Sequence, residues 1–319
     1  MTTLNKNTRI WIALIAVYII WGSTYLAIRY VVETIPPFIG MGMRFITAGI
    51  ALYIWRIKRG DALPTRRQWR DASIVGVLLL VGGNGLVSWA EQFVPSGIAA
   101  LLISTMPLWM VAIEALRTGG EKPSYRSAFG ILLGFGGVVL MIGPGELSTE
   151  ISALHPLGLI ALPMAALLWS LGSVYSKSAD LPSSSLMASG IEMIVGSIGL
   201  LLVGTLRGEW SQLDLSAVSN ASWAGLAYLS VVGSLGGFVA YAYLLQNAPI
   251  SLISTYPYVN PVIAIFLGAW IAQEALNERT IFAAIIILGA VIITTTGKSR
   301  SKASKPKSTH ETDEVLPSN

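Results

Sequence analysis

Residues 21–44 and 169–192 carry one arrangement twice, 148 positions apart. In the first copy Trp21 is followed by Arg29, and the unit closes on Gly42-Met43-Arg44-Phe45-Ile46. In the second, Trp169 is followed at the same spacing by Lys177, and the unit closes on Gly190-Ile191-Glu192-Met193-Ile194. The chain around them is 53% hydrophobic and only 12% charged, with a mean hydropathy of +0.65. A soluble domain carries about 25% charged residues, so there is too little polar surface here to cover a water-soluble globule, and lipid is the expected solvent. Five apolar stretches separate each point of the first copy from its partner. An odd number of crossings turns the second copy over. The expected fold class is therefore an all-α integral membrane protein, with ten transmembrane helices forming two inverted-topology five-helix repeats around a central cavity.

The ten apolar stretches run over 10–31, 37–55, 72–91, 95–116, 127–143, 156–176, 184–206, 221–245, 250–272 and 280–296. A helix needs about 20 apolar residues to cross the hydrocarbon core. The stretches are continuously apolar, whereas a barrel strand alternates over about 10 residues. The first stretch, preceded by Lys6 and Arg9, is read as an uncleaved span rather than a signal peptide, because its Trp21 unit recurs at Trp169 where nothing can be cleaved. The first repeat is placed at 10–143 and the second at 156–296. The Ser-, Lys- and acid-rich residues 297–319 are expected to be a disordered cytoplasmic tail. With the N-terminus inside, seventeen Lys and Arg fall on the cytoplasmic side and three (Arg29, Arg207 and Arg279) on the outer side. That asymmetry puts both termini in the cytoplasm and requires an even number of spans.

The later part of each repeat also corresponds. Val94-Pro95 matches Ala248-Pro249, Pro107 matches Pro261, Glu121 matches Glu274 and Gly136 matches Gly289, with offsets of 153 or 154. Pro95 and Pro249 suit helix starts, where the missing N–H costs nothing. Pro107, Pro257 and Pro261 read as lying within spans, bending them. Such irregularity at membrane depth is tolerated only where the backbone is buried in protein or faces a wet cavity.

Arg44 and Glu192 are the two charges set within spans at equivalent positions, and each approaches the midplane from its own side. A lone charge there costs at least about 2.5–3.5 kcal/mol, so each requires partners or water. Two readings stand. Either they line a cavity, Arg44 meeting a substrate carboxylate and Glu192 an amine or a coupling proton, or they form a structural ion pair between the repeats. Arg29 and Lys177 read mainly as snorkelling anchors, and Glu114 reaches headgroup water. Polar and aromatic residues within spans form a second group: Trp21, Ser23, Thr24, Tyr25, Asn84, Trp89, Thr105 and Trp109, then Trp169, Ser173, Tyr175, Tyr241, Tyr243, Tyr256, Tyr258 and Asn260. Among these Trp21, Asn84, Trp89, Trp169, Tyr175, Tyr241, Tyr258 and Asn260 are the candidate cavity residues beside Arg44 and Glu192. An interhelical hydrogen bond, worth about 0.6 kcal/mol, is the alternative role for the amides. Gly130 and Gly134 make a GxxxG on the fifth span and Gly233 and Gly237 another on the eighth. The first marks either close packing within the chain or a homodimer interface.

Several chemistries lack support. The chain has no cysteine, and its two histidines, His155 and His310, stand apart, so neither a thiol nucleophile nor a metal site is expected. No cofactor is expected. Thr296-Gly297-Lys298-Ser299 echoes the end of a Walker A loop, but Ile292 stands where its first glycine belongs, and a helix C-cap followed by a basic tail is the simpler reading. HExxH and GxSxG are absent, and an intramembrane enzyme would need a nucleophile with an activating base. The basic balance reflects loops and tail rather than nucleic-acid binding.

Trp21-Gly22-Ser23, Arg44-Phe45, the Pro107 span followed by Gly120-Glu121, and the Asn260-Pro261 span followed by Gln273-Glu274 together resemble the EamA family of the drug/metabolite transporter superfamily. The resemblance covers about residues 10–297. It implies a ten-helix exporter-type permease of the bacterial inner membrane, with the cavity lined by the first four helices of each repeat and helices five and ten peripheral. The second copy departs from the family pattern, with Trp169-Ser170-Leu171 for Trp-Gly-Ser and Glu192 in place of arginine. The expected function is secondary transport of a small metabolite, such as an amino acid or amphipathic compound, by alternating access. The expected partners are the lipid bilayer, that solute and a coupling proton. The alternative is a non-transporting membrane sensor or assembly partner with a dry helical core.

Overall fold

The computed structural model describes residues 5–94, 99, 102–117, 122–142, 156–272 and 278–296. Pro95, Gly120, Glu121, His155, Gln273, Glu274 and the tail 297–319 lie outside these. Helices dominate: α1 Lys6–Thr34, α2 Pro37–Lys58, α3 Arg66–Ala90, α4 Met106–Leu116, α5 Tyr125–Ile142, α6 Pro156–Ser176, α7 Ser185–Leu206, α8 Asn220–Asn247, α9 Tyr256–Ala272 and α10 Glu278–Thr296. Five of them (α1, α2, α3, α7 and α8) are long and apolar enough to cross a membrane, and shorter apolar helices complete the bundle.

Local chemistry sets the ends. Asn5 accepts from the Asn7 N–H to open α1, Ser184 from Met187 to open α7, and Ser219 from Ser222 to open α8. Thr65 and Gln68 form a reciprocal capping box that starts α3 at Arg66, earlier than apolarity alone predicts. After α2 and α7 the chain turns through Gly60 and Gly208, at φ of 87° and 71°, a left-handed conformation that favours glycine.

Two irregularities recur at matched places. Val77–Gly85 in α3 and Leu229–Phe238 in α8 are π-helical. Such segments are rare and concentrate at functional sites. The fourth and ninth apolar stretches are each broken, at Ser104-Thr105 and Ser254-Thr255. Thr105 Oγ1 donates to the Leu102 carbonyl at 2.6 Å, and Thr255 Oγ1 to the Leu252 carbonyl at 2.7 Å, each beside the N–H of the same threonine at 3.3 Å. Both breaks carry Leu-Ile-Ser-Thr, two residues before Pro107 and Pro257. Pro107 therefore corresponds to Pro257, not to Pro261 as the 154-residue offset suggests. Pro107 and Pro257 lie in the first turns of α4 and α9, where no intrahelical N–H bond is lost, whereas Pro261 lies inside α9, as Pro163 does inside α6.

Helices α2 and α7 pack antiparallel through small residues. A Cβ on Gly49 would lie 2.8 Å from the Ile194 N and 3.0 Å from the Gly190 carbonyl. Beyond α7, Glu209 accepts from the N–H groups of Phe38 (3.0 Å) and Ile39 (3.1 Å), closing the start of α2. Helices α5 and α10 pack on each other at the side. Gly130 meets Ala290 and Thr294, while Gly134 lies against the Tyr258 ring. This glycine face is filled within the chain by the close approach of α10 and α9. The outer faces of α1 and α10 expose Trp11, Ile15, Ile19 and Leu26, and Phe282, Ile285 and Ile292, apolar surface suited to lipid tails.

Candidate functional site

The core of the bundle is hollow at its centre. A cavity of about 80 Å³ is walled by Trp21, Thr24, Tyr25 and Ile28 of α1, Arg44 and Phe45 of α2, and Gly83, Asn84 and Val87 of α3. Ile103 and Met106 at the first break, Ala165 and Trp169 of α6, Phe238 of α8, and Tyr256 and Asn260 of α9 complete it. Both π segments contribute directly: Asn84 comes from the first, while Ser234 and Gly233 of the second hold wall residues in place.

Arg44 is 3% exposed. Its Nε donates to Ser234 Oγ at 2.9 Å, its Nη1 faces the Met41 sulfur at 3.7 Å, and the guanidinium carbon lies 4.5 Å from the Phe45 ring centroid. Among the described residues no carboxylate pairs with it. The Oδ1 atoms of Asn84 and Asn260 are both buried, and neither has a hydrogen-bond partner among the described residues. Such groups are costly in a protein interior unless a ligand or water meets them. The cavity thus presents one buried cation and two unused acceptors within an aromatic and apolar wall.

Aromatic packing makes the floor. Trp21 lies edge to face on Trp169 (centroids 5.4 Å apart) and on Tyr256 (5.1 Å), and tilts against Tyr241 (4.9 Å). Its Nε1 donates to the Gly233 carbonyl at 3.3 Å. The Trp169 Nε1 donates to the Tyr241 hydroxyl at 3.0 Å, which lies 2.6 Å from Ser173 Oγ. Tyr256 points its hydroxyl at the Met106 sulfur, tying α9 to α4.

Of the ten expected site residues, Arg44, Trp21, Asn84, Trp169 and Asn260 line the cavity. Tyr241 stands directly behind it, bonded to the Trp169 indole. The other four lie elsewhere. Tyr258 donates to the Ile131 carbonyl of α5 at 2.9 Å. It is two residues from both Tyr256 and Asn260, and at 3.6 residues per turn that places it on the opposite helix face. Trp89 packs on Phe93 and lies under the Arg207 guanidinium at one end of the bundle. Tyr175 meets Asp71 at the other end. Glu192 is 3% exposed but lies outside the wall, its backbone against Gly76 and its carboxylate within electrostatic range of Tyr241. Arg44 and Glu192 form no ion pair, which removes the structural-pair reading. Phe45, Phe238 and Met106 also line the cavity but carry no charged group, amide or hydroxyl to mark them in the sequence, and the i, i+4 spacing of Tyr256 and Asn260 separates them from Tyr258.

The two ends of the bundle differ. At one, Lys177 Nζ donates to the carbonyls of Ala248 (2.7 Å) and Leu245 (3.3 Å), linking α6 to the end of α8. There Asp71 also accepts from the Asp180 N–H at 2.9 Å, and Arg67 lies 3.7 Å from Asp180.

Comparison with known proteins agrees with this architecture. The model of the EamA-like transporter family matches residues 8–143 and 156–296. The chain is 38% identical over 288 residues to the "Uncharacterized inner membrane transporter YedA" of Escherichia coli K12, covering 90% of each protein. It is 26% identical to the "Uncharacterized transporter YoaV" of Bacillus subtilis, covering 92% of this chain and 99% of that protein. A crystal structure 20% identical in sequence superposes with a TM-score of 0.74 over 90% of this chain and 97% of its own, which establishes the likeness of fold. The chain is a multi-pass membrane protein and belongs to the EamA-like transporter family.

Proposed function

We propose that the protein is a secondary transporter that carries a small carboxylate-bearing metabolite by alternating access around the central cavity. The observation that carries this reading is Arg44, a buried guanidinium with no carboxylate opposite among the described residues, in one wall with the unused amide oxygens of Asn84 and Asn260. Arg44 receives the carboxylate of the solute. The two amide oxygens accept from its amine or amide N–H groups. Trp21, Trp169 and Tyr256 pack on its apolar part. An amino acid or a related amphipathic compound fits that combination. Glu192 stands behind the wall, so it serves the solute indirectly if at all.

Two oppositely oriented halves, 10–143 and 156–296, supply the moving parts. Support comes from equivalent helices meeting antiparallel (α2 with α7, α5 with α10) and from the matched π segments and helix breaks. Discontinuous helices at the midplane are a recurring device for substrate sites in transporters. The excess of Lys and Arg puts both termini and the Lys177 end in the cytoplasm and the Arg29 end outside. Export is the direction the family resemblance suggests. A dimer, if formed, uses a face other than the Gly130–Gly134 stripe.

Proteoliposomes loaded with a panel of labelled amino acids and analogues without the carboxylate or the amine test this. Protein-dependent flux of carboxylate-bearing solutes, abolished by Arg44→Gln, is the expected result. Flux that is indifferent to the carboxylate, or no flux of any panel member above protein-free vesicles, would sink it.

A further inference from the structure

At the end opposite Lys177, α1 and the end of α3 part to leave a recess of about 610 Å³, lined by Arg29, Glu33, Glu91, Gln92 and their apolar neighbours. Arg29 and Glu33 are exposed, and Glu91 is half-buried in the turn that follows Ala90. Both Glu91 carboxylate oxygens are nevertheless buried, and neither has a hydrogen-bond partner among the described residues. The stem therefore lines the recess while the head turns into the bundle. Tyr25 of the cavity wall lies within electrostatic range of it on the inner side, and Arg29 on the recess side. The other described charges at this end are Glu33 on α1, Arg207, Glu209 and Asp214 after α7, and Glu278 and Arg279 at the start of α10, with Arg207 stacked over Trp89. Glu91 forms no ion pair among the described residues.

An ionised carboxylate with two empty oxygens out of water is strongly disfavoured, and the neutral acid is the form such a site holds. The second half supplies a contrast. Lys177 occupies the place of Arg29 in that half, and it is bonded to the carbonyls that end α8. The corresponding closure of Arg29 onto the end of α3 would bring it to Glu91. Building on the transport reading above, we propose that Glu91 is a proton-binding site at the outer mouth of the cavity, the place where a coupling proton is exchanged with the outside. Turned inward, Glu91 carries the proton. When it swings toward the recess the O–H bond breaks, the electron pair stays on the carboxylate, and the proton passes to recess water. The anion then attracts Arg29 across the mouth. Cations other than the proton are poorly served, because Arg29 repels them and the described residues gather no cluster of three metal-ligating groups here.

Dicyclohexylcarbodiimide, which modifies protonated carboxyls in apolar surroundings, is the probe. Full-length protein in liposomes is treated across about pH 5 to 9, the range in which buried glutamates titrate, and modification at Glu91 is read by mass spectrometry of the digest. Glu91 is expected to be modified at the acid end and to lose reactivity as pH rises. Arg29→Gln, an exposed substitution, removes the cation that favours the ionised form, so it is expected to raise the midpoint by about one pH unit. Glu192, read in the same digest, is expected to keep its profile. Glu91 that stays unmodified throughout, or a midpoint indifferent to Arg29→Gln, overturns the proposal. No solute is needed for this readout. A silent transport panel with a titrating Glu91 would remove the transport reading alone, and transport with an inert Glu91 would remove the proton site alone.

Discussion

Trp21 and Trp169 stand 148 residues apart in the chain and meet edge to face at the centre of the bundle, their ring centroids 5.4 Å apart and their planes at 85°. Each is the same position of its own half, so the point where they touch is where the halves face one another. Both indole N–H groups reach residues of the second half, the Gly233 carbonyl and the Tyr241 hydroxyl. The contact thus joins packing to polar satisfaction at a buried place. An aromatic pair of this geometry contributes about 0.5–1.5 kcal/mol beyond area burial.

Replacing Trp169 by Phe keeps a ring against Trp21 and removes one donor. The Tyr241 hydroxyl retains Ser173, so no buried group is orphaned, and the stability loss should stay near the roughly 0.5–1.5 kcal/mol of one hydrogen bond. Trp21→Ala empties the floor and should cost about 3–5 kcal/mol. Chemical denaturation in a fixed detergent micelle, followed by near-UV circular dichroism, compares the two. Equal losses would mean that the floor is not packed as described.

Arg44 separates function from stability. It holds no ion pair, so Arg44→Met leaves no buried carboxylate unpaired and removes an expensive buried charge; its melting temperature should equal or exceed that of the unaltered protein. Flux of carboxylate-bearing solutes should nevertheless disappear. Arg44→Lys keeps the charge but cannot hold Ser234 and a carboxylate with one planar group, and a loss of about 10-fold or more is expected. A large drop in melting temperature for Arg44→Met would instead assign the residue to the scaffold.

Glycines of the same sequence appearance should respond in opposite ways. A Cβ on Gly49 meets the Ile194 N, the Met193 Cβ and the Gly190 carbonyl of α7 at 3.0 Å or less, and no rotamer change moves any of these atoms. Gly49→Ala should therefore force α2 and α7 apart at about 1–3 kcal/mol. Gly136 and Gly289 have nothing within 4 Å of the added atom, and Ala there should be neutral or stabilising by up to about 1 kcal/mol. Thermal melting in one detergent orders the variants. Destabilisation by Gly136→Ala would contradict the packing of α5.

The duplication, the apolar spans and the central Trp21, Arg44, Asn84, Trp169 and Asn260 were legible in the sequence because burying a charge, an amide or an indole in lipid is costly enough to mark the position. The path of the backbone was less so. Nothing in Val77–Gly85 or Leu229–Phe238 distinguishes a π turn from an α turn by composition, because the difference lies in which carbonyl each N–H finds. The breaks at Ser104-Thr105 and Ser254-Thr255 were available in the shared Leu-Ile-Ser-Thr, but matching prolines alone paired Pro107 with the wrong partner. Tyr258 and Trp89 were misplaced for a different reason: an aromatic in a span has the same cost on either helix face, and only its angular position decides what it touches.

Outside the spans, Asp61 tests the electrostatics of the α2–α3 turn. Arg56 donates to both of its oxygens, at 2.8 and 2.5 Å, and holds its carboxyl below the usual carboxylate range. A folded value lower than the unfolded one contributes order at neutral pH that is lost as pH falls through the folded value, below about 4. Hydrogen exchange of the peptide spanning residues 56–65 should accelerate over that range, beyond the intrinsic pH effect. Asp61→Asn should remove the acceleration, and an unchanged profile in that variant would show that the turn is held by something else.

The absence of cysteine makes the last relationship directly measurable. Lys177 ties α6 to the end of α8 through the Ala248 and Leu245 carbonyls, whereas the matching Arg29 end is parted by a recess. Loss of this tie should let the Lys177 end open. Thr24 lies in the cavity wall, so Thr24→Cys gives the protein a single thiol at the centre. In sealed vesicles of known orientation, an impermeant maleimide should label it mainly from the Arg29 face. Adding Lys177→Met should raise labelling from the Lys177 face several-fold, because the methionine keeps the apolar stem but cannot donate to either carbonyl. Labelling that stays equal from both faces in both proteins would mean that the Lys177 bonds seal nothing.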